Sequence, residues 1–269
     1  MALVVIVVGV MVAAWLLALL LSPWLLIINP LRPLPTKSGN GRVATNVLLV
    51  VAHPDDESMF FGPTLLCLAS FGSYNIRVLS ISNGNVDGKG RERENEMLLA
   101  CSVLKVPREN VKVLNIPGLQ DGFHEVWGQE VLAEIVQNEV QAHSINTVIS
   151  FDKDGVSCHP NHCSLSSGIR FFLLQKQVDV TNFGTKPVEA WELVSTNIFR
   201  KYSGPLDLYF STLEWWWSDC KELHCFINCD TRTSRIAMSQ HRSQWLWYRR
   251  LFIILSRYTY VNTLRQIKF

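Results

Sequence analysis

The stretch Asn46-Val-Leu-Leu-Val-Val-Ala-His-Pro-Asp-Asp-Glu57 decides how the rest of the chain is read. Its first half, Asn46–Ala52, is an unbroken β-branched and aliphatic run, the pattern of a strand buried on both faces. Its second half switches abruptly to imidazole and carboxylate, with His53, Asp55, Asp56 and Glu57 directly after the strand. Four further runs, Ile76–Ile81, Val111–Ile116, Thr147–Phe151 and Leu193–Ile198, read as strands, and helical patterns cover 58–71, 91–103, 126–142 and 162–176. Strands alternating with helices predict an α/β, Rossmann-like fold, a mostly parallel sheet with helices on both faces. In that architecture functional groups collect in the loops at the carboxyl ends of the strands.

A second polar cluster, Cys158-His-Pro-Asn-His162, follows the strand ending at Phe151. His53 and Asp56, three apart across a turn, can face one side of a divalent ion, and His159 or His162 can complete a His/Asp/His set. Three protein ligands and one open position are the usual holding of a catalytic zinc, and Asp55 is then free to act as general base on a water. One carboxylate with two imidazoles also suits iron, cobalt or manganese. The competing reading is structural: Asp55 and Asp56 as cap and first-turn carboxylates of the helix near Ser58, with His159 and His162 capping the next one. Two such clusters, each ending a predicted parallel strand, favour the metal site.

Weaker signals surround these two. Asn83, in the loop Ser82-Asn-Gly-Asn85, either contacts a sugar or belongs to an ordinary turn. Arg93 either reaches substrate or pairs with Glu96 on its own helix. Asp121, followed by Gly122, has the same two readings as Asn83, and His241 either approaches the pocket or sits in the core. His124, His143 and His224 have no motif around them. No Gly-x-Ser-x-Gly elbow is present, so a serine nucleophile of that type is not expected.

Toward the N-terminus, Ala2–Ile28 carries no charged side chain. Twenty such residues at about 1.5 Å each cover the roughly 30 Å hydrocarbon core of a bilayer. A cleaved signal peptide is the alternative, but the segment lacks a basic leader and outruns the usual apolar length. Arg32, Lys37 and Arg42 follow the span and no acid appears before Asp55, which places the remainder on the cytosolic side. The expected organisation is a transmembrane anchor over 1–29, a Pro- and Gly-rich linker over 30–44 and a cytosolic domain over 45–269.

The whole chain of 269 residues is 48% hydrophobic and 18% charged, too apolar for disorder and too polar for a polytopic membrane protein. Its seven cysteines lack close pairing, which argues against a disulfide framework or a cysteine zinc module. The net charge of +2 conceals a tail: residues 231–269 hold eight Lys or Arg and no acid. Trp245, Trp247, Tyr248, Arg249, Arg250, Phe252, Arg257, Tyr258 and Tyr260 crowd that tail. They read either as a grip on a lipid surface and its phosphates or as a core helix with an aromatic stripe. No nucleic-acid module accompanies the charge, so nucleic acid is not an expected partner.

Ala52-His-Pro-Asp-Asp-Glu57 together with His159-Pro-Asn-His162 resembles the LmbE-like (PIG-L) zinc-dependent de-N-acetylases. The resemblance spans about residues 45–265 and includes Arg93, Glu96 and Ala100 of the family's Arg-x-x-Glu-x-x-x-Ala helix. It is nearest the eukaryotic branch that acts on N-acetylglucosaminyl-phosphatidylinositol in the second step of GPI-anchor biosynthesis. The resemblance implies zinc ligands His53, Asp56 and His162, general base Asp55, and His159 as oxyanion stabiliser or proton donor to the leaving amine. It also implies a membrane glycolipid substrate and residence in the endoplasmic reticulum membrane. The alternatives are a deacetylase of a soluble N-acetyl sugar conjugate and a catalytically silent membrane scaffold.

Overall fold

A computed structural model describes residues 2–28, 33–34, 44–183, 187–217, 223–228 and 230–268. In chain order the elements are α1 (Ala2–Ile28), β1 (Thr45–Val51), α2 (Asp56–Phe60), α3 (Gly62–Ser70), β2 (Tyr74–Ser80), α4 (Gly90–Val103), β3 (Val111–Val113), α5 (Gln129–Ala142) and β4 (Thr147–Phe151). There follow α6 (Gly155–Cys158), α7 (Pro160–Phe183), β5 (Glu189–Leu193), α8 (Ile198–Lys201), α9 (Asp207–Trp217), β6 (Leu223–Ile227), α10 (Thr231–Gln240), α11 (Trp247–Leu255) and β7 (Val261–Gln266).

The sheet order is β3-β2-β1-β4-β5-β7-β6. The first five strands are parallel, and β7 runs antiparallel to both β5 and β6. Strand β1 lies in the middle of the parallel set, with Leu49 opposite Val78 on one side and Ile149 on the other. All of Val47–Ala52 is buried, as the aliphatic run requires. The chain leaves β1 first toward β2 and later crosses to β4, so the carboxyl end of β1 marks a topological switch point, where such sheets open a crevice. Helix α3 packs on β2, α4 on β3, and α7 on β1, β4 and β5. Helix α5 packs along α7, and α4 against α10.

Three sequence expectations change. The helix expected over 58–71 breaks into α2 and α3 at Phe61, because Pro63 at the start of α3 has no N–H for a bond back to Met59. The strand expected over Leu193–Ile198 is displaced: β5 is Glu189–Leu193, and Asn197 already caps α8 by accepting from the Arg200 N–H. Glu192 disguised β5, since a buried carboxylate spoils an aliphatic pattern. Arg170 and Arg265 neutralise it, at 2.5 and 2.6 Å. The strand expected over Val111–Ile116 stops at Val113.

The expected N-terminal helix forms as α1, and Ser22, Trp15, Ala18 and Leu19 lie on its flank toward the domain. Trp15 meets Tyr260 edge-on at 6.3 Å, and the Tyr209 hydroxyl donates to the Ala18 carbonyl. Side chains of α1 are described at Ile6, 9–22 and Trp24 alone; among the described residues no helix is long and apolar enough to cross a membrane. Most of the linker, including Pro30, Pro35, Gly39 and Gly41 and the charges Arg32, Lys37 and Arg42, lies outside the described residues. Cys101, Cys158, Cys163 and Cys225 are free thiols, and the Cys67 thiol donates to the Ile227 carbonyl.

The C-terminal segment returns to the sheet through a buried ionic knot. The Arg257 Nε donates to Asp207 at 2.5 Å with both side chains fully buried, while its Nη2 reaches Ser211 and Thr263. Arg200 holds the other oxygen of Asp207 at 2.8 Å. Removing one member of such a pair strands the opposite charge in the interior. Asp207→Ala is expected to lower the free energy of urea unfolding by about 3–5 kcal/mol.

Candidate metal centre

Four loops at the carboxyl ends of the parallel strands converge on one cavity of about 540 Å³. The loop after β1 contributes His53, Asp55 and Asp56. The loop after β2 leads to Lys89 and Arg93, that after β3 brings Asp121, and that after β4 brings His159 and His162. Residues about a hundred positions apart meet here: His53, Asp56 and His162 lie with ligand atoms within 4.8 Å of one another, all three buried. Of the two histidines left open by the sequence, His162 is the one brought to this pair.

The hydrogen bonds fix which nitrogen of each imidazole is free. His162 Nδ1 lies 3.0 Å from the Gly155 carbonyl, which can only accept, so Nδ1 carries the proton. Its Nε2 is left with a lone pair, has no hydrogen-bond partner, and points at Asp56 Oδ1 at 3.3 Å. His53 Nε2 faces two acceptors, Asp121 Oδ1 and Asn161 Oδ1, each at 3.0 Å. Its Nδ1 is therefore the lone-pair nitrogen, 3.7 Å from Asp56 Oδ2. Two lone pairs aimed at one buried carboxylate repel unless a cation lies among them. The donor set thus fits a divalent metal, with Asp121, Asn161 and the Gly155 carbonyl orienting the ligands from behind.

The scaffold around the set is stiff. The Phe151 ring stacks flat on His162, 4.0 Å between centroids and 2° between planes. Gly155 has φ +50°, and a Cβ there would lie 2.6 Å from the His162 Cβ, so this position admits no side chain without displacing the ligand. Asp152 folds the loop by accepting from the Gly155 N–H and from Ser195. A second cluster, His53, Asp121 and His159, also lies close, but it draws on the His53 nitrogen already committed to Asp121.

Asp55 sits beside the set with φ 120°, a left-handed conformation that costs a non-glycine residue about 1–3 kcal/mol. Glu57 offsets this strain by accepting the Asp55 N–H at 3.0 Å. Glu57 is itself fully buried, with Oε1 2.6 Å from His241 Nε2. His241 therefore belongs to the core, as its alternative reading held, and props the loop after β1 from behind without lining the cavity. Burial would raise Glu57, yet the His241 charge holds its pKa below the ordinary value; burial would lower His241, yet Glu57 raises it.

Asp55 Oδ2 is gripped by two arginines, Arg93 Nη2 at 3.4 Å and Arg249 Nη1 in a short contact. Arg93 does not pair with Glu96, which instead binds Ser243. Its guanidinium donates to the Pro54 and Gly84 carbonyls and approaches Asp121, tying three loops together at the cavity wall. Asn83 lies off the cavity, donating to Glu94. His159 lines the cavity half-buried; burial, then the nearby His162 and His53, lower its pKa to about 4. Arg249, Asn161 and Glu57 were given no site role in the sequence reading. Asn161 and Glu57 stood inside quoted motifs, while nothing near Arg249 in sequence distinguishes it from its neighbour Arg250.

Residues 48–172 match the family profile PIG-L, described as GlcNAc-PI de-N-acetylase. Over 245 residues the chain is 34% identical to a probable N-acetylglucosaminyl-phosphatidylinositol de-N-acetylase of Dictyostelium discoideum, covering 84% of this chain and 95% of that protein. It is 35% identical over 230 residues to an N-acetylglucosaminyl-phosphatidylinositol de-N-acetylase of Bos taurus, covering 86% and 87%. The solved N,N'-diacetylchitobiose deacetylase from Pyrococcus horikoshii shares the fold with a TM-score of 0.58, at 16% identity over 83% of this chain and 84% of that one.

Two expectations follow from the geometry. His162→Ala purified alongside the unaltered chain should lose stoichiometric divalent metal by elemental analysis while keeping its circular dichroism; full metal content would remove the donor set argued above. For the Glu57–His241 pair, the raised His241 pKa contributes stability fully below about pH 6.5 and loses it as pH climbs through the folded value. The lowered Glu57 pKa contributes above about pH 4.5 and loses it on acidification. His241→Gln should therefore be most destabilising, measured by urea unfolding, between about pH 4.5 and 6.5, with the difference narrowing at alkaline pH.

Proposed function

The chain belongs to the PIG-L family of GlcNAc-PI de-N-acetylases, and on that premise we propose that it hydrolyses the N-acetyl group of N-acetylglucosaminyl-phosphatidylinositol. The products are glucosaminyl-phosphatidylinositol and acetate, the second step of GPI-anchor biosynthesis. The observation that carries the reading is the pair of imidazole lone pairs converging on Asp56, in the motifs that this family's name accompanies.

His53, Asp56 and His162 would hold zinc, and zinc supplies Lewis acidity, which favours a nucleophilic water at neutral pH and polarises an acetyl carbonyl. Asp55, one residue before a ligand and on the cavity wall, takes the proton of the attacking water. Its strained backbone aims the carboxylate inward, and Arg93 fixes it from the side. His159 enters neutral, because burial and its neighbours depress its basicity. Its ring faces the same space and donates an N–H to the tetrahedral oxyanion. The proton collected from water then passes to the departing amine nitrogen, the C–N bond breaks, and acetate and the free amine leave. Water adds across the amide, so no covalent enzyme intermediate is required.

The enzyme in this reading is a single-pass protein of the endoplasmic reticulum membrane with its catalytic domain in the cytosol. Its support is the sequence: the uncharged run Ala2–Ile28 and the basic residues Arg32, Lys37 and Arg42 that follow it.

Asp55→Asn leaves shape and packing nearly unchanged while removing the base. Release of acetate from the glycolipid should fall by about 10²–10⁴-fold, with metal content retained. Undiminished turnover would overturn the mechanism.

A further inference from the structure

Helix α11 is turned the wrong way out for a helix surrounded by water. Its charged Arg249 faces inward to Asp55, Ile253 is buried, and Phe252 packs on Phe60 with ring centroids 5.6 Å apart. Trp247, Leu251, Ile254 and Leu255 form the outward stripe. Helix α9 repeats the inversion. Asp207, Ser211 and Thr212 point inward, while Phe210, Leu213, Trp216 and Trp217 point outward. On α8, Ile198 and Phe199 are exposed as well. Trp217 is 89%, Phe199 85% and Trp247 72% accessible. A water-facing helix carries the opposite arrangement, and a contiguous apolar surface marks a site of association.

These helices are joined side by side. Tyr202, next to α8, meets Phe252 of α11 at 6.1 Å, and Arg200 of α8 binds Asp207 and Glu214 of α9. The Tyr260 hydroxyl donates to the Ile254 carbonyl, and Tyr260 in turn meets Trp15 of α1. Gly204 allows this closeness: with φ +58°, a Cβ there would stand 2.5 Å from the Trp15 indole nitrogen. The second half of α1 is therefore held against the domain beside the inverted helices. At the other end of the surface, Leu246 and Tyr248 are exposed and also line the cavity.

We propose that the outward faces of α8, α9 and α11, continuous with the flank of α1, bed into the headgroup and acyl boundary of a lipid bilayer, so that the cavity mouth opens within the headgroup layer. Charge selects this occupant. The only acids of the three helices are Asp207 and Glu214, both held by Arg200; Lys201 turns its ammonium inward to the Val156 carbonyl, and exposed Arg250 faces lipid phosphates favourably. A second copy meeting the same patch across a two-fold axis would offer Arg250 no unpaired acid on these helices. Trp and Tyr at the rim suit the same layer. The proposal extends the glycolipid reading, since a substrate whose acyl chains remain in the leaflet is presented at that depth.

The test uses the full chain in phosphatidylcholine vesicles, with the variant Phe199→Ser/Trp217→Ser/Leu251→Ser, whose three sites lie away from the cavity. On bilayer-embedded N-acetylglucosaminyl-phosphatidylinositol its apparent KM should rise about tenfold or more, while kcat/KM on an acyl-free, water-soluble analogue stays within about twofold. An unchanged KM on vesicles overturns the proposal, as does a wild-type oligomer that dissociates in the variant. A second readout is independent of activity. Bromine-labelled acyl chains should quench tryptophan emission of the wild type, and the Trp217→Phe variant should lose part of that quenched emission; equal quenching in the two overturns the proposal. A chain inactive on both substrates would defeat the deacetylase reading, while the quenching would still decide the docking.

Discussion

A buried carboxylate with two imidazole lone pairs turned toward it is the constraint on which the rest of the site depends. Asp56 accepts from the Ala52 and His53 N–H groups with one oxygen, so its position is set by the end of β1 itself. His53 and His162 are each protonated on the far nitrogen because only acceptors stand there. The near nitrogens then have no protein donor to meet. Such an arrangement is costly in an interior of low dielectric unless a positive centre joins it. The surrounding parts, the Phe151 stack, the Gly155 turn and Asp121 behind His53, read as means of preventing the three groups from relaxing apart.

How much of this the sequence made visible depended on whether local pattern and tertiary role agreed. They agreed at β1, where Val47–Ala52 is buried on both faces and the polar motif begins as the strand ends. They agreed again at the His159–His162 segment, where the chain leaves buried β4 at the rim of the crevice and both imidazoles line the cavity. They disagreed at β5, whose Glu192 is paired by arginines from α7 and β7 and so hides the strand from any apolar count. Pairing across that distance leaves no local trace. The same holds for Arg249: a guanidinium reaching Asp55 across 194 positions looks in sequence like one more base in a cationic tail.

That tail supplies more of the active site than its composition suggests. His241 secures Glu57 and Ser243 secures Glu96, so the turn between α10 and α11 is pinned to both α2 and α4. Asn262, at the start of β7, accepts from Thr64 and donates to the Phe60 carbonyl at the break between α2 and α3. The family profile ends at residue 172, before any of these contacts. The candidate metal ligands are therefore encoded in the first part of the chain, and their support from behind comes from the last.

The aromatic tail is divided between the interior and the surface. Tyr258 and Arg257 are fully buried and form the core, while Trp247 and Leu251 face outward. Composition alone could not separate them, because α11 spends its arginine inward and its apolar side chains outward, against the usual rule for a surface helix. Arg249 links the two faces: it stands on the same short helix as the outward stripe and its guanidinium ends on Asp55. A shift of α11 would be felt at Asp55 through this one side chain, because Phe252 and Ile253 key the helix onto the core. A helix inverted in this way couples its exposed apolar face to the carboxylate beside the His53–Asp56–His162 set, which a segment joined only by a linker could not do.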